Sequence, residues 1–333
     1  MGAASPSYKA TGDREPLSLW FSGAGACELR AEALPAMGEN EVLVRTLFSG
    51  ISRGTEKLVF DGKVPESEFE RMRGPHMGGR FPFPVKYGYS AVGVVDDGPA
   101  ALKGRLVFCL HPHQSTFVTH ADMVHLLPDA LPPERAVLAA NMETALNICW
   151  DAGVMPGDRV AVFGAGVVGS LVAFIASRIP GAEVTLVDRN SGRQSLAEAL
   201  GVPFSSGADL VGEFDVLINA SASAEALDQA ISLAGFEARI VEASWYGENP
   251  VQLNLGGAFH ARRLSIVSSQ VGAVSAAQRP RWDFARRLTK ALQLLGDDHL
   301  DALISGETPF EEIAEAYPGI IGDPQTLCHR IRY

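Results

Sequence analysis

The chain has 333 residues, 47% hydrophobic and 20% charged, with 28 basic against 39 acidic side chains and a formal net charge of −11. That balance excludes a disordered chain, and the acidic surplus argues against a nucleic-acid binder, which carries a basic face. The length suits two domains with cores that need no staples. Cys27, Cys109, Cys149 and Cys328 form no Cys-x-x-Cys pair, so no disulfide framework is expected.

Residues 1–13 are small and polar and read as a loose tail without a leader's apolar region. No run of about 18 apolar residues occurs, so no membrane span is expected. The cytoplasm is the default compartment. From Leu17 to about Val137 the pattern is short β runs broken by Gly and Pro: Leu17–Phe21, Glu41–Ser49, Ala91–Val95, Arg105–Cys109 and Ser115–Thr119. Such a run of short strands predicts a partly closed β domain. The Pro/Gly-rich stretch from Pro65 to Tyr89 reads as a loop covering a cleft.

Past Arg135 the character changes. Residues 136–150 carry helical periodicity, and strands then alternate with helices: strands at 159–164, 183–188, 215–219, 238–243 and 264–268, helices at 167–179, 191–200 and 224–234. Alternation of this kind predicts α/β architecture with a doubly wound parallel sheet. The last stretch reads as helices near 280–296 and 310–317 around a strand near 302–304.

The buried-strand run Arg159–Phe163 leads directly into Gly164-Ala165-Gly166-Val167-Val168-Gly169 and then into an apolar helix. This is the order of the Rossmann dinucleotide fingerprint. Gly164 permits the tight turn, Gly166 lets backbone approach a pyrophosphate, and Gly169 lets helix pack on strand. The helix start at Val167 and Val168 offers free N–H groups to an anion. The second strand ends in Asp188, 19 positions after Gly169. A carboxylate there accepts from both ribose hydroxyls and repels a 2′-phosphate, which favours NAD. Arg189 and Arg193 nearby leave NADP possible. A ligand-free turn, or a flavin or S-adenosylmethionine site, are the alternatives.

Gly38-Glu-Asn-Glu-Val-Leu-Val-Arg45, Ser49-Gly-Ile-Ser-Arg-Gly-Thr-Glu56 and Tyr87-Gly-Tyr-Ser-Ala-Val-Gly-Val-Val95 resemble motifs of the medium-chain dehydrogenase/reductase superfamily, which includes alcohol dehydrogenases. The likeness runs from about Leu17 to Tyr333. Within the superfamily, Ser52-Arg-Gly-Thr-Glu56, Pro112-His113-Gln114 and Asn141–Leu146 are similar to the branch named for bacteriochlorophyllide (hydroxyethyl) dehydrogenase. The resemblance implies a GroES-like, partly closed β-barrel catalytic domain over 1–137, a Rossmann domain over 138–272 and a return to the catalytic domain over 273–333. It implies that Asp188 meets the ribose, Arg193 lies beside the adenosine and Arg53 meets the pyrophosphate, unless Arg53 is an exposed salt-bridge partner. It further implies that Ala220-Ser221-Ala222 and Ala243-Ser244-Trp245 flank the nicotinamide, and that the edge strand near Leu264–Gln270 forms a homodimer, unless the C-terminal helices cover that edge.

The departures from the family carry as much information. Its three catalytic zinc ligands fall here on Ser52, Tyr89 and Ala140 or Asn141, which are poor zinc donors. The segment from Val107 to Phe117 has no room for a four-cysteine lobe, so neither zinc is expected. An unorthodox set of Glu56, Cys109, His111, His113 and His120 is the remaining metal alternative. Without zinc, positioned donors must stabilise the oxygen from whose carbon hydride departs. Ser52, Tyr89 and His113 are the candidates, with Glu56 orienting a relay and Lys57 adding positive charge. The plainer readings are a helix cap for Ser52, a packed ring for Tyr89 and loop histidines for His111 and His113. For Glu143 the choice is between the dipole of its helix and a substrate contact. Phe81, Phe83, Trp245 and Tyr246 could wall an apolar pocket.

The leading expectation is therefore a zinc-independent, NAD-dependent alcohol/carbonyl oxidoreductase acting on a small-molecule substrate, an apolar alcohol or ketone, with a large hydrophobic alcohol compatible. An NADPH-dependent quinone or enoyl reductase and a non-catalytic nucleotide sensor are the alternatives.

Overall fold

A computed structural model describes residues 15–333; the tail read over 1–13 lies outside the described residues. The first half opens with β1 (Leu17–Gly23), β2 (Ala26–Ala31) and the long β3 (Glu41–Ser52), which runs straight into α1 (Arg53–Phe60). Next come β4 (Gly78–Gly79), β5 (Val85–Lys86), β6 (Ala91–Asp97), β7 (Leu106–Cys109), β8 (Thr116–His120) and β9 (Val124–Leu126). One sheet has the order β2-β1-β5-β4, and β3 pairs with β6 and β8 in another. Val42, Val44, Val95, Val107 and Phe117 fill the space these strands enclose. The strands bend around that core without closing a ring of pairs among the described residues.

The stretch from Pro65 to Tyr89 differs from its expectation. Met77, Phe81, Val85 and Tyr87 are buried in one cluster with Phe21, Phe60 and Tyr317. It contributes two strands and four core side chains, so it is a packed wall of the domain. Its apolar spacing is irregular, and Gly and Pro masked it as a loop.

The second half holds α2 (Pro133–Ala136), α3 (Ala139–Ala152), β10 (Arg159–Phe163), α4 (Val167–Ala176), β11 (Glu183–Val187), α5 (Gln194–Ala199), β12 (Phe204–Ser205), β13 (Phe214–Asn219), α6 (Ala224–Leu233), β14 (Ala234–Glu242) and β15 (Ser265–Ser268). Their strands form a wholly parallel sheet in the order β12-β11-β10-β13-β14-β15. Val160 and Val162 face a layer containing α3 and α4, whereas Ala161 and Phe163 face α6. A strand apolar on both faces is what a doubly covered sheet requires.

The end of the chain serves both halves. α7 (Phe284–Leu294) packs on α3. β16 (Ile304–Pro309), α8 (Ile313–Gly322) and β17 (Cys328–Arg332) then return to the first half, where β17 pairs antiparallel with β3 from Phe48 to Ser52. β17 was not anticipated: Cys-His-Arg-Ile-Arg buries Cys328 and Ile331, three apart, and shows no alternation. Among the described residues no helix is long and apolar enough to cross a membrane.

Glu143 also differs from its reading. It is buried and accepts from Arg287 Nε at 3.0 Å, while the same guanidinium, 1% exposed, reaches Asn147 Oδ1 and the carbonyls of Val271 and Ala273. Losing one partner of such a pair costs about 3–5 kcal/mol, so Glu143 holds α3, α7 and the 271–273 segment together.

A second ion pair reports on pH. Lys86, 6% exposed, donates to Glu32 Oε1 at 2.6 Å and to Gln114 Oε1 at 2.9 Å. Burial pushes the Glu32 carboxyl up, but hydrogen bonds from Lys86 and Ser18 outweigh it and hold the group below its ordinary 4.5. A depressed folded value means stability that is present above about 4.5 and lost as pH falls through the folded value. Wild type should therefore melt above Glu32→Gln at pH 7, and the gap should close on acidification below pH ~4. Thermal midpoints of both proteins across pH test this, and a gap constant down to the acid limit contradicts it.

Candidate active site

The crevice begins at the turn after β10. Gly164 has φ +103, and a Cβ there would meet the Ala220 carbonyl oxygen at 2.8 Å. A Cβ on Gly169 would lie 1.9 Å from the Gly164 oxygen, so only glycine lets α4 sit this close to β10. Gly166 is different: its Cβ would meet nothing within 4 Å. It is exposed, and as N-cap of α4 it has no side chain to satisfy the free N–H groups of the first turn. Val167 and Val168 open that helix half-buried. Asp188 follows β11 and accepts from Ala165 N on Oδ2 and from Asn190 N on Oδ1, each at 2.8 Å.

The basic side chains divide. Arg193 is turned into the protein, donating to the carbonyls of Pro324 and Gln325 at 2.8 and 3.2 Å. Burial, then the nearby Arg53 charge, holds its guanidinium below the ordinary arginine range against the pull of Asp188. Arg189 is exposed and lines a cavity of about 440 Å³ with Leu58, Ser221, Ser223, Trp245 and Tyr246. Arg53, first residue of α1, keeps a buried Nε with no hydrogen-bond partner among the described residues. An orphaned buried donor beside a second guanidinium fits an anion. Open backbone at Gly166, free helix N–H groups and Asp188 complete a site that suits a dinucleotide.

Ser52 ends β3 and begins α1. Its hydroxyl does not cap that helix, as its plainer reading had it, but donates to Asn141 Oδ1 at 3.2 Å. Its backbone N–H donates to Glu56 Oε1 at 2.7 Å. Tyr89 is half-buried, packs against both large core clusters, and meets Tyr87 edge-on at 6.1 Å. Burial, then the negative charge of Glu56, lifts its phenol to about 12 against the pull of the Ser52 and Thr55 hydroxyls. It is therefore a proton-bearing donor at neutral pH.

Glu56 and His113 lie one layer deeper, each side chain 0% exposed. His113 Nε2 meets Glu56 Oε2 at 3.0 Å, and Nδ1 meets Ser49 Oγ at 2.8 Å. Tyr317 of α8 donates to Glu56 Oε2 at 2.7 Å, and Ser49 Oγ lies 2.9 Å from the Tyr333 hydroxyl. Gly88, φ +110, makes room for the His113 ring, since a Cβ there would stand 2.9 Å from it. Both imidazole nitrogens are engaged in the interior, so His113 meets Ser52 and Tyr89 through Glu56 and Gly88. Lys57 points outward and pairs with Asp61 at 3.2 Å.

The metal alternative does not assemble. His120 is exposed on Asp122, His111 stacks on Phe117 at 3.7 Å, and Cys109 is buried in β7. Among the described residues the one cluster with metal-ligand spacing is Asp297, Asp298 and His299, far along the chain and mostly exposed. Ser52, Tyr89 and Asn141 present a hydroxyl, a phenol and an amide, a donor set that does not fit catalytic zinc. Ala140 is an apolar core residue.

Ser221 donates to Asn219 Oδ1 at 2.6 Å, and Ser244 Oγ accepts from Ala222 N at 2.9 Å. The two loops that hold Ala220 and Ala243 are thereby clipped together. Sequence reasoning missed Ser49, Tyr317, Tyr333, Asn219 and Glu242, whose partners lie far away in the chain and are met only in the fold.

No family model matches the chain. It is 27% identical over 324 residues to the 2-desacetyl-2-hydroxyethyl bacteriochlorophyllide A dehydrogenase of Rhodobacter capsulatus, covering 92% of this chain and 95% of that one. Its fold matches the L-idonate 5-dehydrogenase of Escherichia coli with a TM-score of 0.79 at 16% identity, over 96% of this chain and 98% of that one. It also matches an alcohol dehydrogenase of E. coli complexed with NADH, with a TM-score of 0.76 at 17% identity over 96% and 100%. The chain is thus similar in sequence to alcohol and polyol dehydrogenases and shares the fold of alcohol dehydrogenase-like enzymes.

The glycines separate folding from binding. Gly169→Ala must shift backbone and should destabilise by about 1–3 kcal/mol. Gly166→Ala should keep its melting temperature within a degree or so yet weaken NADH binding. Thermal melts beside NADH fluorescence titrations test the pair, and equal losses of stability in both variants contradict it.

Proposed function

We propose that this enzyme interconverts an alcohol and a carbonyl by hydride exchange with NAD(H), NADP(H) being the weaker partner, and that no catalytic metal takes part. The observation that carries the reading is the orphaned Arg53 Nε, one residue past Ser52, close enough to Arg193 for their charges to interact. It joins an anion site on the nucleotide side to the hydroxyl cluster on the other. When bound, the coenzyme supplies the hydride acceptor or donor. The Gly164–Gly169 turn and α4 hold its pyrophosphate, and Asp188 takes a ribose hydroxyl and disfavours a 2′-phosphate.

Hydride departure makes the substrate oxygen's charge change, and donors fixed beforehand stabilise that change. We assign that role to Tyr89, which keeps its proton, with Ser52 beside it, its own hydroxyl turned to Asn141 Oδ1. Glu56 and His113 position them: Glu56 grips the Ser52 backbone, and His113 packs under Gly88. The substrate is an apolar alcohol or ketone. Supporting this, the half-buried Phe69 and Tyr89 rest on the buried rings of Phe81 and Tyr87, 5.6 and 6.1 Å away. Phe83 and Trp245 pack on the same cluster. A hydroxyethyl group on a large flat molecule, as in the name of the Rhodobacter relative, is the first substrate to assay.

Fluorescence titration should show NADH binding more tightly than NADPH. Arg53→Ala should weaken NADH binding by roughly tenfold or more, the worth of a charged hydrogen bond. Tyr89→Phe and Ser52→Ala should each lower kcat by about 10²-fold with NADH affinity unchanged, and dialysis against EDTA should leave activity intact. Loss of activity in EDTA restored by zinc refutes the metal-free part, and absence of binding to either coenzyme refutes the whole.

β15 ends the parallel sheet, and its outer edge carries Ser265 and Ser268 exposed. An unpaired edge is a template for a twin strand, which supports a homodimer. Sedimentation equilibrium should return about twice the 35.4 kDa chain mass, and a monomer at micromolar concentration contradicts it.

A further inference from the structure

Glu242 closes β14 and stands in register with Asn219, the last residue of β13. Both sit on the final rung of the ladder, at the carboxyl edge of the parallel sheet. The half-buried Glu242 carboxylate takes three donors. Ser244 N reaches Oε1 at 2.7 Å, while Asn219 Nδ2 and the Tyr246 hydroxyl reach Oε2 at 2.8 and 3.1 Å. Asn219 itself is 0% exposed. All three donors are neutral, and among the described residues Glu242 takes part in no ion pair. Burial, followed by the charge of Glu242, raises the phenol of Tyr246, its direct partner at 3.1 Å.

A carboxylate drawn out of water is normally matched by a cation. Here the direct partners among the described residues supply hydrogen bonds and no positive charge, and Arg189, on the same cavity, makes no ion pair with Glu242. Tyr246, Ser221 and Ser223, which surround the carboxylate or its partners, also line the 440 Å³ cavity, together with Leu58 of α1. In a parallel sheet of this strand order a dinucleotide straddles the switch point, one mononucleotide on each side. Asp188 after β11 takes the adenosine half, which leaves the β13–β14 edge to the nicotinamide half.

We propose that Glu242 is the counter-charge of the oxidised nicotinamide ring, so that the site favours NAD⁺ relative to NADH. The inference rests on the coenzyme reading given above. Oxidation of an alcohol breaks its carbinol C–H bond and moves a hydride, one proton with two electrons, to the ring. The substrate becomes a carbonyl, its hydroxyl proton leaves to solvent, and the ring's formal positive charge disappears. Attraction by a fixed carboxylate therefore acts on one oxidation state only, and biases the equilibrium between the bound forms toward NAD⁺.

Calorimetric titration of the wild type, Glu242→Gln and Tyr246→Phe with NAD⁺ and with NADH, without substrate, tests the proposal. Glu242→Gln keeps the shape and removes the charge. It should weaken NAD⁺ by roughly five- to tenfold while NADH changes by less than about twofold. Tyr246→Phe removes a donor and keeps the charge, so its ratio of the two Kd values should stay within about twofold of wild type. A Glu242→Gln protein that loses both forms by the same factor, or neither, overturns the inference and leaves the coenzyme reading standing. A wild type that binds neither form overturns the coenzyme reading, and this inference with it.

Discussion

A carboxylate that never meets water must find its hydrogen bonds inside the protein, and Glu56 finds three. Ser52 N, His113 Nε2 and the Tyr317 hydroxyl arrive from the start of α1, from the loop between β7 and β8, and from α8. Removing any of them leaves a buried charge short of a partner, which is far more costly than the hydrogen bond itself is stabilising. Three chain segments are thus held at fixed distance by one side chain, and Ser52 at the head of α1 inherits that precision. Phe21 and Phe60 pack on the Tyr317 ring, each 5.1 Å away, so the donor has little freedom to swing off.

The opposite wall of the crevice is built by a steric rule rather than an electrostatic one. Gly169 lets α4 press against the turn, Gly164 lets the turn press against the loop after β13, and Gly166 leaves its own space open. Positive charge is then distributed by use. Arg193 spends its donors on the carbonyls of Pro324 and Gln325, tying the C-terminal return to the nucleotide side, while Arg53 keeps one donor unspent. Negative charge stands at two strand ends of the parallel sheet, Asp188 just after β11 and Glu242 as the last residue of β14.

Much of this was legible in the sequence because it is local. A strand of Val-Ala-Val-Phe followed at once by the three glycines, and an acid closing the next strand, fixes the nucleotide side within about thirty consecutive residues. The parallel sheet followed from the same alternation. The cluster around Glu56 was legible only as a set of candidates, since whether Ser52, Tyr89, His113 and Glu56 meet depends on how deep each lies. His113 and Glu56 look alike in the sequence whether they face solvent or the core, and the structure buries both. Ser49, Tyr317 and Tyr333 carried no signal, because a serine in a strand and tyrosines in a C-terminal stretch have many ordinary uses. β17 escaped because its buried residues are three apart, and the Pro65–Tyr89 wall because glycine and proline hid its four core side chains.

The pairing of β17 with β3, and the bond from Tyr317 to Glu56 across 261 positions, bear on how the molecule is made. A ribosome releases β3 and α1 early, yet their neighbour strand and the phenol that satisfies Glu56 emerge only after the whole nucleotide half. Until then the nascent first half carries an open sheet edge and a carboxylate short of a donor, while the parallel sheet between them can already form. The first half can therefore complete its sheet and satisfy Glu56 only when the final thirty residues or so are present, whereas the strands of the parallel sheet all precede them.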